Sequence, residues 1–429
     1  MIRSMFTAIG ALNLNQTWLD VISDNLANST TTGFKSSRVI FQDQFAQIMS
    51  SGAAPIGDVG GINPTEVGLG VKLGYVSPVF TQGMMQSTGR STDLAIQGNG
   101  FFVYTNGQET FYSREGSLEI DADGYLVNNS TGMRIMGWMT ASDGSIDTNA
   151  PVSTMQISLD ATVARATTSA SIGGNLDSGL SLAVDAVADN PATPEDETVA
   201  AVAGEYKETT IAVYDSLGES HTPTIRFTRT SDPLVWNWEV TDPTTATGSG
   251  TMTFDSDGRY VDSTVNAGDP VVLIGSAGAD NIEIDFDFSS MTMLSSETTI
   301  APLNQDGLAA GSVSELYGAP NTGELYLVYS NGLKEKIGQI ALAAFTNPSG
   351  LLRSGSNCYK IGLNSGDPQI GTANTGGRGA ITSGYLEASN VDMAQEFTNM
   401  ILAQRGFQAS SRVISTSDQI LQELVNLKQ

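Results

Sequence analysis

Apolar positions at the two ends of the chain recur with a helical period, whereas those between them alternate or cluster as strands do. From Met5, apolar residues fall at Ile9, Leu12, Leu19, Ile22 and Leu26, steps that keep them on one face of a helix. Asn28 and Gly33, with the Ser/Thr run between them, end that helix. Near the other terminus Met393, Met400, Phe407, Ile414 and Leu421 lie seven apart, and Phe397, Ile401, Leu424 and Leu427 widen the stripe. A seven-residue repeat stays in register only against a partner it can supercoil with. The pattern predicts a helix over 391–427, N-capped by Asn390, with Asp392 in its first turn to complement the macrodipole. Gly406 falls inside it and is expected to loosen it locally. Neither end has a strand pattern beside it to pack upon. The cheapest partner for each terminal helix is the other one, and further copies of the pair would cover what remains.

Between the ends the signals are β. Short runs at 94–96 and 101–103 flank Gly98-Asn-Gly100, and 118–120 precedes Asp121-Ala-Asp-Gly124; both read as hairpins. A second group lies at 210–214, 224–227 and 235–240, and a third at 324–329, 337–342 and 359–361. The clean alternation of 282–288 predicts one wet face. Residues 185–205 read as an exposed loop and the Gly- and Thr-rich 366–383 as the approach to the last helix. The expected fold is mainly β and multidomain, with paired, coiled-coil-like terminal helices and two β-rich domains inserted in folded-back order. Its parts are a helical polymerisation domain (1–30 and 388–429), a link (31–70), an inner β domain (71–147 and 296–387) and an outer acidic β domain (148–295).

Composition adds a direction to this layout. A chain of 429 residues exceeds one compact core. Its formal net charge is −26, which makes nucleic acid and anionic membrane poor partners. Residues 148–295 hold 22 of the 46 acidic side chains and 5 of the 20 basic ones, so that middle section is expected to face solvent. No apolar run approaches the length of a membrane span, so no membrane insertion is expected. The first ten residues lack the charged and apolar regions of a secretory signal, which predicts export with an uncleaved N-terminus.

Candidate chemistry is sparse. His221 is the only histidine and Cys358 the only cysteine. Zinc by the usual Cys/His sets is excluded by number, and no internal disulfide can form. His221, in Ser216-Leu-Gly-Glu-Ser-His221, is expected as a surface turn residue rather than a member of a catalytic triad. Asp121-Ala-Asp-Gly124 and Asp255-Ser-Asp-Gly258 open like calcium loops but lack the later ligands; hairpin turns are the expectation. Gly68-Leu-Gly70 and Gly98-Asn-Gly100 are fragments of a dinucleotide fingerprint without its helix. No catalytic, cofactor or metal site is predicted, and the chain is not expected to be an enzyme. An acidic secreted β adhesin or hydrolase is the remaining alternative of another class.

The termini carry a specific likeness. Leu19-Asp-Val-Ile-Ser-Asp-Asn25-Leu-Ala-Asn28, then Thr32-Gly33-Phe34-Lys35, resembles the N-terminal signature of the bacterial flagellar rod and hook axial family. Gly384-Tyr-Leu-Glu387-Ala-Ser389-Asn390-Val391-Asp392, then Gln404-Arg405, is similar to its C-terminal signature, and 93–102 with 114–127 to its first β domain. Val213-Tyr214-Asp-Ser-Leu-Gly218 and 329–350 look like segments of its hook-type subunits, with a distal rod-type subunit as the alternative. The resemblance implies export through the flagellar type III apparatus and polymerisation beneath a cap. The product would be a curved, flexible extracellular tube, a universal joint passing torque from rod to filament. It further implies partners in the hook cap, distal rod and hook–filament junction proteins. Met5, Ile9, Leu12, Leu19, Ile22, Leu26, Met393, Met400, Phe407, Ile414 and Leu421 would form the polymerisation stripes.

Overall fold

The computed structural model describes residues 2–426 except 53, 56, 58–59, 142–143, 186–200, 241–245, 267–270 and 274–277. Most of the expected loop at 185–205 and the stripe position Leu427 therefore lie outside the described residues, as does the side chain of Leu424. The fold is mainly β, with one long helix at each end: α1, Ile2–Ala27, and α2, Met393–Asn426. Contacts divide it into two compact units: 1–158 with 316–327 and 336–429, and 159–315 with 328–335.

In the first unit α1 runs into a long ribbon. Strands β1 (Ser37–Asp43) and β4 (Val71–Pro78) pair antiparallel, and β2 (Ala46–Ser50) and β3 (Thr65–Gly68) continue the same hairpin. Residues 31–70, expected as a link, thus supply three of these strands. The ribbon lies along α1: Trp18 and Phe41 meet edge to face with ring centroids 5.8 Å apart, and Arg3 Nη1 donates to Gln47 Oε1 at 2.7 Å.

Beyond the ribbon, segments far apart in sequence interleave. Phe101–Thr105 pairs with Thr110–Ser113, with Arg134–Met139 and with Leu342–Ala344. Cys358–Lys360 extends Thr110–Ser113 on its other side. The core between them is aromatic: Phe101, Tyr112, Phe345 and Tyr359 cluster with Phe80, and the rings of Tyr112 and Phe345 sit 4.8 Å apart, edge to face. The expected hairpin across Gly98-Asn-Gly100 does not form. Leu94–Gln97 pairs instead with Ala380–Ser383, because both glycines take positive φ (109° and 127°) and send the chain into another sheet rather than back along itself.

The second unit has its own core. A five-strand antiparallel meander runs Tyr206–Thr210, Thr224–Arg229, Val235–Val240, Ser249–Phe254 and Tyr260–Val265. Beside it Ser169–Asp177 pairs in parallel with Asp285–Leu294. Trp236, Trp238, Phe227 and Phe288 fill the space between these layers. The predicted alternation holds here: Ile284, Phe286 and Phe288 are buried while Asp285 and Asp287 face solvent.

Candidate functional site

Each terminal helix finds its partner in the other. They run antiparallel: Asn25, near the end of α1, donates to Glu396 in the first turn of α2 at 3.2 Å, and Asn15, mid-way along α1, faces Gly406. Of the expected stripes, Ile22 is buried and Met5, Leu12, Leu19, Leu26, Met400, Phe407, Ile414 and Leu421 are half-buried. Ile9 and Met393 remain 38% and 53% exposed. The cause is geometric, because a straight helix drifts by about 20° per heptad against a seven-residue repeat. At the start of α2 the seam is instead held by Glu396, Asn399 and the fully buried Ala403; further along come Gly406, Ser410 and buried Ser417. Small and polar residues let the backbones approach, and they leave no mark in an apolar pattern. Gly406 has such a role: a Cβ there would meet the Asn15 side chain at 2.9 Å. Away from the seam, Phe6, Phe397, Ile401, Leu402, Val413 and Ile420 stay exposed.

The signature residues gather where the helix pair meets the β structure. Asn25 caps the turn into the ribbon, its Nδ2 donating to the Ser37 carbonyl and its Oδ1 accepting from the Ser37 amide, both at 2.8 Å. Asn28 donates back to the Asp24 carbonyl at 2.9 Å. Residues 32–35 form a strap pressed onto the β domain. Gly33 takes φ +69°, and a Cβ there would lie 2.8 Å from the Glu115 amide, so only glycine fits without displacement. Phe34 is buried under the Arg353 guanidinium, 5.1 Å from its ring centre.

Lys35 is wholly buried, and its ammonium donates to Glu387 Oε1 and to the Thr81 carbonyl, each at 2.7 Å. Glu387 Oε1 also accepts from the Gly83 amide at 2.8 Å, and Oε2 accepts from Arg114 at 3.3 Å. Arg114 in turn donates to the Gly98 carbonyl at 2.7 Å. Two buried cations therefore share one buried carboxylate. Burial pulls the Lys35 ammonium and the Arg114 guanidinium below their ordinary pKa, and Glu387 opposes that shift in both.

Asn390 corrects an expectation. It is not the helix cap: its Oδ1 accepts from the Ser36 amide and its Nδ2 donates to the Val79 carbonyl, both at 2.8 Å, tying the approach to α2 onto the strap. The cap is Asp392, which accepts from the amides of Ala394 at 2.9 Å and Gln395 at 3.1 Å. Gln404 and Arg405 stand apart from this joint, exposed on α2.

His221 also departs from expectation. It is buried rather than on the surface, because its Nε2 hydrogen-bonds Asp215 Oδ2 at 3.2 Å across the hairpin. Asp215 Oδ1 accepts from the Leu217 and Glu219 amides, both at 2.9 Å. Burial pushes the Asp215 carboxyl up, but His221 and these amides outweigh it and hold the group below the usual carboxylate range. Asp121 and Asp255 organise their turns alike, each accepting from the amide four residues on at 2.7 Å. Among the described residues, Asp215, Glu219 and His221 form one group with ligand atoms close enough for a metal, within 4.8 Å of one another. Hydrogen bonds within the turn already occupy Asp215 and His221.

Four family models match: "Flagella basal body rod protein" over 5–35, "Flagellar hook protein FlgE/F/G D1 domain" over 95–175, "Flagellar basal body protein FlaE D2 domain" over 175–308, and "Flagellar basal body rod FlgEFG protein C-terminal" over 382–427. The flagellar hook protein FlgE of Treponema pallidum is 36% identical over the whole of both chains. That of Salmonella typhimurium is also 36% identical, over 99% of this chain and all of the relative. A flagellar basal-body rod protein, FlgG of Bacillus subtilis, is 29% identical across the full length of both.

Proposed function

The chain belongs to the flagellar hook protein family, a structural family of the bacterial flagellum, and on that premise we propose that it polymerises through its terminal helices into the curved tube of the hook. The observation that carries this reading is the half-finished burial of the helix pair. One pair hides only the seam and leaves a second apolar face on α2, and Phe6 and Ile9 on α1, in water, which further copies would cover. In the assembled tube the helices form the inner wall. The β units lie outside them, and the acidic section 148–295 faces solvent. Polar outer contacts can slide while the apolar inner ones persist, so the tube bends readily and transmits torque.

The subunit leaves the cell through the flagellar type III apparatus and works outside the cell. It meets the hook cap during growth, the distal rod below and the hook–filament junction proteins above. It performs no catalysis. The double variant I414D/L421D is expected to abolish polymerisation of purified protein while the β units stay folded by circular dichroism. Normal polymers from that variant would sink the proposal. A rod-type subunit is the second reading, supported by the full-length match to the rod protein; electron microscopy separates a curved polymer from a straight one.

A further inference from the structure

The outer faces of the two helices differ in charge. On α2, Ile401, Leu402, Arg405, Arg412, Val413 and Ile420 are all exposed. At about 100° per residue they fall within one face, turned away from the Ala403–Ser417 seam. Its charges are the two arginines, seven residues apart, and the exposed Glu423 one turn beyond Ile420; neither arginine has an ion pair among the described residues. That is notable in a chain with 20 basic and 46 acidic residues.

On α1 the matching outer face carries Phe6 and Ile9 with two carboxylates, Asp20 and Asp24, one turn apart. Asp20 has no cationic partner among the described residues, and Asp24 shares Arg353 at 3.4 Å while remaining about half exposed. Beside this face lies a groove of about 560 Å³, lined by Asp20, Val21 and Asp24 of α1 and by Val76, Leu352 and Arg353, the last paired with Asp24. One helix thus offers an apolar face of net positive charge, the other an apolar face and groove of net negative charge. Two such faces on one body fit head to tail. They are not self-complementary, so the contact repeats without closing on a dimer.

We propose that successive copies of this chain dock front to back, with the Arg405–Arg412 face of α2 in one copy set against the Asp20–Asp24 face and groove of α1 in the next. The proposal rests on the polymerisation reading and names the surfaces that meet. The apolar side chains provide the contact area, and the charges fix which face meets which.

Charge reversal tests it. D20K/D24K and R405E/R412E are each expected to raise the critical concentration for polymerisation by at least about tenfold, ~1.4 kcal/mol per contact. The quadruple variant, with every sign exchanged, should return to near the wild-type value. An equimolar mixture of the two double variants should also polymerise, since each presents the face the other lacks. Either double variant assembling like wild type would overturn the proposal. So would failure of both the quadruple variant and the mixture, with circular dichroism showing folded β units. Wild-type protein that forms no polymer overturns the polymerisation reading as well; normal wild-type polymer with unaffected double variants overturns this proposal alone.

Discussion

Replacing Glu387 by glutamine removes the only carboxylate among three buried ionisable groups while keeping the side chain's shape. In the native joint two cations face one anion, a net buried charge of +1; E387Q raises it to +2. Orphaning one side of a buried ion pair costs ~3–5 kcal/mol, a large share of the ~5–15 kcal/mol that holds a typical domain together. Glu387 accepts from the Lys35 ammonium, the Gly83 amide and Arg114 at once, so the upper part of that range is expected. The double variant K35M/E387Q restores the net charge to +1 and should recover ~1–2 kcal/mol relative to E387Q alone, a coupling of the size expected between contacting residues. Urea unfolding of the first unit measures both values. Trypsin gives an independent readout: Lys35 is wholly buried in the native joint, so cleavage after it should be slow in wild type and fast in E387Q. The reasoning fails if E387Q costs less than ~1 kcal/mol, or if the double variant is no more stable than the single one.

Two further outcomes are expected. Ala403→Leu places a larger side chain at a fully buried point of the helix seam; it should weaken the pair by ~1–3 kcal/mol, seen as loss of helical signal and polymer yield with unchanged tryptophan fluorescence from the second unit. Burial pushes the Cys358 thiol up to about 11 from an ordinary 9.0, so its folded pKa lies above the unfolded one. Its contribution to stability is full below pH 9 and lost as pH rises through about 11. A Cys358→Ser variant should lack that alkaline component of the urea midpoint, and native Cys358 should resist a thiol reagent that modifies the unfolded chain.

What the sequence disclosed follows from what leaves a local trace. The terminal helices and the alternation at 282–288 are periodic, and periodicity survives in a single chain. The Asp-Gly turns at 121–124 and 255–258 were legible because one carboxylate and one glycine organise each locally. The joint left no such trace. Lys35 and Glu387 are 352 residues apart, and no spacing rule connects them. The resemblance flagged both segments without saying that they touch. The ribbon leaves no strand signal because β2 and β3 are exposed on both faces, which erases the alternation that marks a half-buried strand. The helix seam was displaced from the apolar stripe because alanine, glycine and serine close the approach. Asn390 and Asp392 are both cap-forming types at suitable positions, and only their long-range partners decide that the aspartate takes the role.

The joint also has a consequence in time. Lys35 and Arg114 come early in the chain, and the carboxylate that lets them be buried comes 352 and 273 residues later. Whichever end is delivered first, the contact waits for almost the whole chain. Until then the strap at 32–35 has no counter-charge to settle against, and α1 has no α2. A prefix ending before Glu387 would hold two cations that are better off in water than in its core. The joint therefore works as a completeness check: a chain that has lost its last tenth cannot take on the shape of a finished subunit, and cannot offer its neighbours a helix pair to build on.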